Sequence, residues 1–182
     1  MRRDARPIRR LKMRHLVLLA GMCAALIGTL AVMPAGADTT ATFTLTAGSL
    51  SISAPTGAVS LGSQVASTSA STLSGPLGSV TVTDQRGGPT TWTASVIATA
   101  FTPPVGPADP ASNVSYAAGP ITVSATVVAT AVPATNLTGV STVVTGSSTG
   151  ISTATWNPII SVLVPANFAP GVYSATITHS VA

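Results

Sequence analysis

The sequence predicts an all-β protein, an antiparallel β-sandwich of the immunoglobulin-like kind with about seven to nine strands. Three observations carry this expectation. From Asp38 onward the chain is dominated by Thr, Ser, Ala and Val, whereas helices favour Ala, Leu, Glu and Lys, and β-branched residues prefer a pleated surface. Apolar residues in that region recur at every second position, the period of a strand with one buried face. Gly- and Pro-rich breakers, among them Gly87-Gly88-Pro89, Pro103-Pro104, Gly119-Pro120 and Pro170-Gly171, punctuate the runs.

The elements follow in order. Thr40–Thr46 alternates Thr with Phe43 and Leu45 and reads as a strand. Ser49–Ala54 is the next strand, with Leu50 and Ile52 on the opposite parity, so a bulge or tight turn is expected at Ala47-Gly48. Ser63–Gly75 is rich in Ser and Thr with few apolar residues, which suits a flexible loop or linker. Val80 and Val82 alternate with Thr81 and Thr83. In Trp92–Thr99 the even positions are apolar and the odd ones mostly hydroxylated; in Ile121–Val127 the odd positions are apolar. Asn136–Thr145 and Thr153–Val164 are further strands. Ile159–Val164 is apolar on both parities apart from Ser161, as expected of a strand covered on both sides. Val172–Val181 closes the set, with Tyr173, Ala175, Ile177, His179 and Val181 on one parity.

The formal charge of +4 suggests a partner of opposite charge, but position overturns that reading. Seven of the eight basic residues precede position 15, followed by an apolar run, Leu16 to Met33, and then Pro34-Ala35-Gly36-Ala37. A charged region, an apolar region and an A-x-A site form the anatomy of a secretory signal peptide. Cleavage is expected after Ala37, leaving 38–182 as a single domain, with no membrane attachment once the leader is removed. The alternative is an uncleaved anchor, because the apolar run is just long enough to span a bilayer. Residues 38–182 retain Arg86 against Asp38, Asp84 and Asp109, a formal charge of 1 − 3 = −2, with no Lys, Glu or Cys. One cation cannot neutralise several phosphates, so nucleic acid is excluded as a partner.

Chemistry is sparse. Beyond the leader the titratable inventory for acid–base work is three Asp, His179, Arg86 and two Tyr. No G-x-S-x-G elbow marks an activated serine, and no cluster of His, Cys or carboxylates has metal-ligand spacing. The expectation is a protein that is not an enzyme, with no catalytic residues, no metal and no cofactor. His179 falls on the apolar parity of its strand and reads as a residue at the edge of the core.

Two segments carry a resemblance. Leu77–Gly88 ends an alternating strand in Thr83-Asp84-Gln85-Arg86-Gly87 and leads through Pro89-Thr90-Thr91 into Trp92-Thr93-Ala94. Val164-Pro165-Ala166 precedes Pro170-Gly171-Val172-Tyr173 and a final strand through His179-Ser180-Val181. This resembles the WxL domain of Gram-positive surface proteins, in which Asp-x-Arg-Gly precedes Trp-x-Leu and a Gly-x-Tyr strand closes the domain. Ala94 stands where the family has Leu, and His179 and Val181 stand where it has Trp and Leu. The resemblance implies an exported protein held non-covalently at the cell wall, with peptidoglycan or another wall glycan as ligand and other surface proteins as possible partners. The ligand-binding positions it implies are Trp92, His179 and Val181, and Asp84 and Arg86 of the adjoining turn are candidate ligand-binding residues beside them. From the residues alone, Trp92 is either a stacking platform for a sugar or a core plug, its parity with Ala94, Val96 and Ala98 favouring the plug. Asp84 and Arg86 are expected to pair across their turn as an exposed ion pair, and Trp156 to lie in the core. The alternative function is an immunoglobulin-like structural or adhesive subunit that meets other surface proteins through a sheet edge.

Overall fold

A computed structural model describes residues 39–124 and 126–182; the expected signal peptide and Asp38 lie outside them. The described chain is an antiparallel β-sandwich of eleven strands and one 3₁₀ turn, Ala111–Asn113. The strands are β1 (Leu50–Ser53), β2 (Ser71–Pro76), β3 (Val80–Asp84), β4 (Thr90–Ala98), β5 (Val114–Ala117), β6 (Ile121–Val123), β7 (Val127–Ala131), β8 (Ser141–Ser148), β9 (Ser152–Trp156), β10 (Ile159–Val164) and β11 (Ile177–Val181). They form three antiparallel sheets, ordered β1-β3-β9-β6, β2-β10-β5 and β11-β4-β8-β7. Among the described residues no helix is long and apolar enough to cross a membrane.

The excess over the expected seven to nine strands has one main cause. β2 runs into β3, β9 into β10 and β5 into β6, and the same three neighbours pair on both sides of each break. Trp156 is opposite Val80 and Ile121, and Ile159 is opposite Pro76 and Ala117. Asn157-Pro158 on the central strand therefore faces Leu77–Ser79 on one side and 118–120 on the other, one extra residue on each flank. A mismatch of three residues against two, one extra as in a bulge, bends a strand. Pro158 has no N–H for a ladder, but its carbonyl accepts from Leu77 N at 2.9 Å, and Asn157 Oδ1 accepts from Gly78 N at 3.0 Å. Gly78 and Gly119 take up the mismatch at φ of 102° and 69°, where a side chain would strain. Three long strands thus interrupt at one level and supply six of the eleven.

Parity assigned the faces well. Val80 and Val82, Trp92, Ala94, Val96 and Ala98, and Ala154 and Trp156 are all buried. In β8 the register slips between Ala94 and Ser95, so that Val143 is the extra residue of a bulge and both Val143 and Val144 point inward.

Several expectations are corrected. Thr40–Thr46 is not a strand: it has no partner among the described residues, and Phe43 and Leu45 are 91% and 89% exposed. Alternation supplies a face but not the ladder that makes a strand. Ser63–Gly75 is not a loop throughout, since β2 begins at Ser71. Ile121–Val127 is divided between β6 and β7. The last strand is confined to Ile177–Val181, and Asn136–Val140 is a turn leading into β8. β10 is covered on one side only: Ile160 and Val162 are buried, but Ile159 and Leu163 face outward and are partly exposed.

Candidate functional site: an apolar cleft beside an open sheet edge

The turn that resembles the WxL motif is structural. Asp84 ends β3 pointing inward and is fully buried. Its carboxylate accepts from Arg86 N at 3.0 Å, from Arg86 Nε and NH2 at 2.9 Å each, and from Thr90 Oγ1 at 2.7 Å. Arg86 NH2 also donates to Thr91 O at 2.8 Å. The pair forms as expected, but around a buried acid rather than an exposed one. Hydrogen bonds from the Arg86 side chain hold the Asp84 carboxyl well below the usual carboxylate range, against the opposing effect of burial. No lone pair of Asp84 faces solvent, and Arg86 is committed to the turn.

Trp92 is the core plug. It is 3% exposed and lies over Gly146, its cross-strand partner, where a Cβ would fall inside the indole. Its Nε1 has no hydrogen-bond partner among the described residues. A sugar needs an open ring face, so the plug that parity favoured stands, and the ligand-binding role that the resemblance implied for Trp92 is corrected; Gly146 opposite it leaves room for the indole. The likeness between these turns and a wall-binding motif therefore translates into a β3–β4 corner and a core residue.

His179 and Val181 are half-buried on the inner face of β11. His179 Nε2 lies 3.2 Å from Tyr116 Oη, and the two rings meet edge-on at 5.6 Å between centroids. Trp156 Nε1 donates to the same hydroxyl at 2.7 Å. Indole is a donor only, so the Tyr116 oxygen accepts from Trp156, and the tautomer of His179 sets which of the two groups donates in the second contact. Burial pushes the His179 pKa down and the Tyr116 pKa up to about 12, the Trp156 N–H partly offsetting the latter. Tyr116 was not singled out by its sequence context, although its period-2 relation to Val114 is the signal that places it inside.

The five positions expected to form one site are thus not a single surface. A different feature is open: a cleft of about 870 Å³ to which His179 contributes. Its floor includes Leu73 of β2, Val162 of β10 and Ile177 of β11. Its walls are the coil 54–70 and the segment 165–176. The two walls are joined by the main-chain bond from Asn167 N to Ser67 O at 2.8 Å, with Asn167 at φ 60°. Phe168 and Tyr173 stack at 5.9 Å and 28° along the second wall, where Tyr173 Oη donates to Ala169 O at 3.0 Å. Asp109, which also lines the cleft, is buried, accepts from Asn113 Nδ2 at 2.6 Å, and has its pKa raised by that burial.

The coil is the weakest part of the cleft. Only Ala54 and Leu61 are partly buried among its residues, and it forms no ladder with β2. Leu61 lies over Gly75, where a Cβ would come within 2.9 Å of its Cα. A long coil without ladder bonds inside a compact domain belongs to the low-stability end of a structure and is often functional. No group of three or more potential metal ligands occurs among the described residues.

Comparison with known protein families, curated proteins and solved structures finds no match to this chain. The likeness to WxL domains rests on the two sequence segments alone.

Proposed function

We propose that this is an exported, non-enzymatic cell-surface protein that serves as a structural or adhesive subunit, binding partner proteins by strand addition at the outer edge of β2. One observation carries the reading. Three strands run through the interrupted level of the sheet; β1 pairs beside β3 on one side of it, and among the described residues nothing pairs beside β2 on the other. An unpaired row of N–H and C=O groups is a template for another strand, and an apolar cleft beneath it would receive alternate side chains. Near-absence of charge suits this mode, because main-chain bonds and apolar contacts supply the affinity. His179 is half-buried and engaged with Tyr116 through Nε2, which suits a packing role.

A second reading, non-covalent attachment to peptidoglycan or another wall glycan, is favoured by the stacked Phe168 and Tyr173 on the cleft wall. Aromatic faces beside hydroxyl-bearing side chains suit an uncharged polysaccharide.

The two readings separate with a photo-reactive residue placed at Thr72, an exposed outward position of β2, in the chain produced by cells that export it. Strand addition predicts adducts that run as discrete protein bands. Wall attachment predicts adducts released only by muramidase, together with salt-insensitive pelleting on purified peptidoglycan that a Tyr173→Ala substitution abolishes. If Thr72 captures neither class, the edge is not a binding site.

A further inference from the structure

We infer that the strand added to β2 comes from a second copy of this chain, and that it is the segment Thr40–Thr46. The inference rests on the strand-addition reading and names its partner. The segment carries the residue pattern of a strand and has no ladder among the described residues: Phe43 and Leu45 share one parity, Thr42, Thr44 and Thr46 the other, and both apolar side chains stand almost fully exposed. Its seven residues match the six of β2. In β2 the inward positions are Leu73 and Gly75, so an added strand in register places Phe43 and Leu45 over the cleft and its threonines beside Thr72 and Ser74. Neither the segment from Thr39 to Ser49 nor β2 carries a charge, so the pairing desolvates none.

Reach decides that the donor belongs to another copy. The chain is anchored to its own sheet from Gly48, whose N–H donates to Gln85 O at 2.9 Å, beyond the far end of β3 from β2. From Gln85 to Leu73 is twelve residue rises, about 40 Å if the strands were straight and still about 28 Å if they folded to a right angle at Gly78. The five residues from Gly48 to Phe43 extend at most about 17 Å. Phe43 cannot cover its own cleft, but it can cover a neighbour's. Donor and acceptor are different surfaces, so the contact is head-to-tail and builds oligomers, closed where the rotation between copies allows and open filaments where it does not. The coil 54–70, with no ladder bonds to β2, is the element that gives way.

The test uses the exported full chain in sedimentation velocity across concentrations, with negative-stain microscopy. The expected result is a concentration-dependent series of oligomers and filaments, reduced to monomer in a Phe43→Asp, Leu45→Asp variant whose melting curve is unchanged. In a Cys23→Ser background, a Thr44→Cys copy mixed with a Thr72→Cys or Ser74→Cys copy should form a disulfide-linked heterodimer on oxidation. The inference is overturned if wild type stays monomeric throughout, if the double Asp variant assembles equally well, or if a Thr44→Cys, Thr72→Cys chain links only within itself. Monomeric wild type combined with photo-adducts from Thr72 to a different protein would remove this partner and leave the edge reading standing. Absence of any protein adduct at Thr72 would remove both.

Discussion

Trp156 donates its indole N–H to the hydroxyl of Tyr116 across 2.7 Å of otherwise apolar core. That bond joins β9 to β5, strands on opposite sides of the interrupted level, and His179 Nε2 on β11 lies 3.2 Å from the same hydroxyl. Three strands from all three sheets are therefore tied by one phenol. A buried polar chain of this kind specifies one packing, because any slip leaves a donor unpaired.

Tyr116→Phe should destabilise the fold by about 1–3 kcal/mol, since it strands the Trp156 N–H and removes the partner of His179 while changing almost no volume. Chemical denaturation of the two proteins measures this directly. An unchanged midpoint would mean the bond contributes nothing.

His179 should make stability depend on pH. Its folded pKa is lowered by burial, so the unfolded chain binds the proton more readily. The contribution is present above the unfolded value near 6.5 and is lost as pH falls from there through the folded value. Melting temperatures between pH 7.5 and 5 should decline in wild type and decline less in His179→Gln.

Asp84 should act further into acid with the same sign. Its folded pKa is depressed, so its contribution is present above the unfolded value of about 4 and disappears as pH drops below it. Asp84→Asn, which cannot hold Arg86 as a bidentate partner, should lower stability at neutral pH and flatten the limb below pH 4. Parallel acid-unfolding curves for the two proteins would contradict this account.

Gly146→Ala should be among the most damaging small substitutions, because the added methyl occupies the space of the Trp92 indole. Overpacking typically costs about 1–3 kcal/mol, and here neither sheet strand can withdraw. Combining it with Trp92→Leu should restore part of the loss. A double-mutant cycle with no coupling would show that the two residues do not share that space.

Much of this was legible from residues alone, and the remainder divides along physical lines. Period-2 alternation in Trp92–Thr99 and at Val80 and Val82 assigned buried faces correctly, because side chains of a strand alternate whatever the strand pairs with. Breakers announced the interruptions, though not that Asn157-Pro158, Gly78 and Gly119 meet at one level. Alternation misled at Thr40–Thr46, where a strand pattern has no neighbour among the described residues, and a run apolar on both parities misled at Ile159 and Leu163, which face outward. The Asp84-to-Trp92 segment was read as a possible binding motif, and burial turned it into a corner.

The sequence by itself determined the class of fold, the inward face of most strands and the concentration of positive charge in the first fourteen residues, because these depend on composition and local order. Tertiary structure decided which edges pair, which aromatic residues stay accessible and which strand position is left open. Those depend on main-chain hydrogen bonds between residues distant in the chain, and every residue but proline carries the same donor and acceptor, so side-chain identity cannot announce the partner.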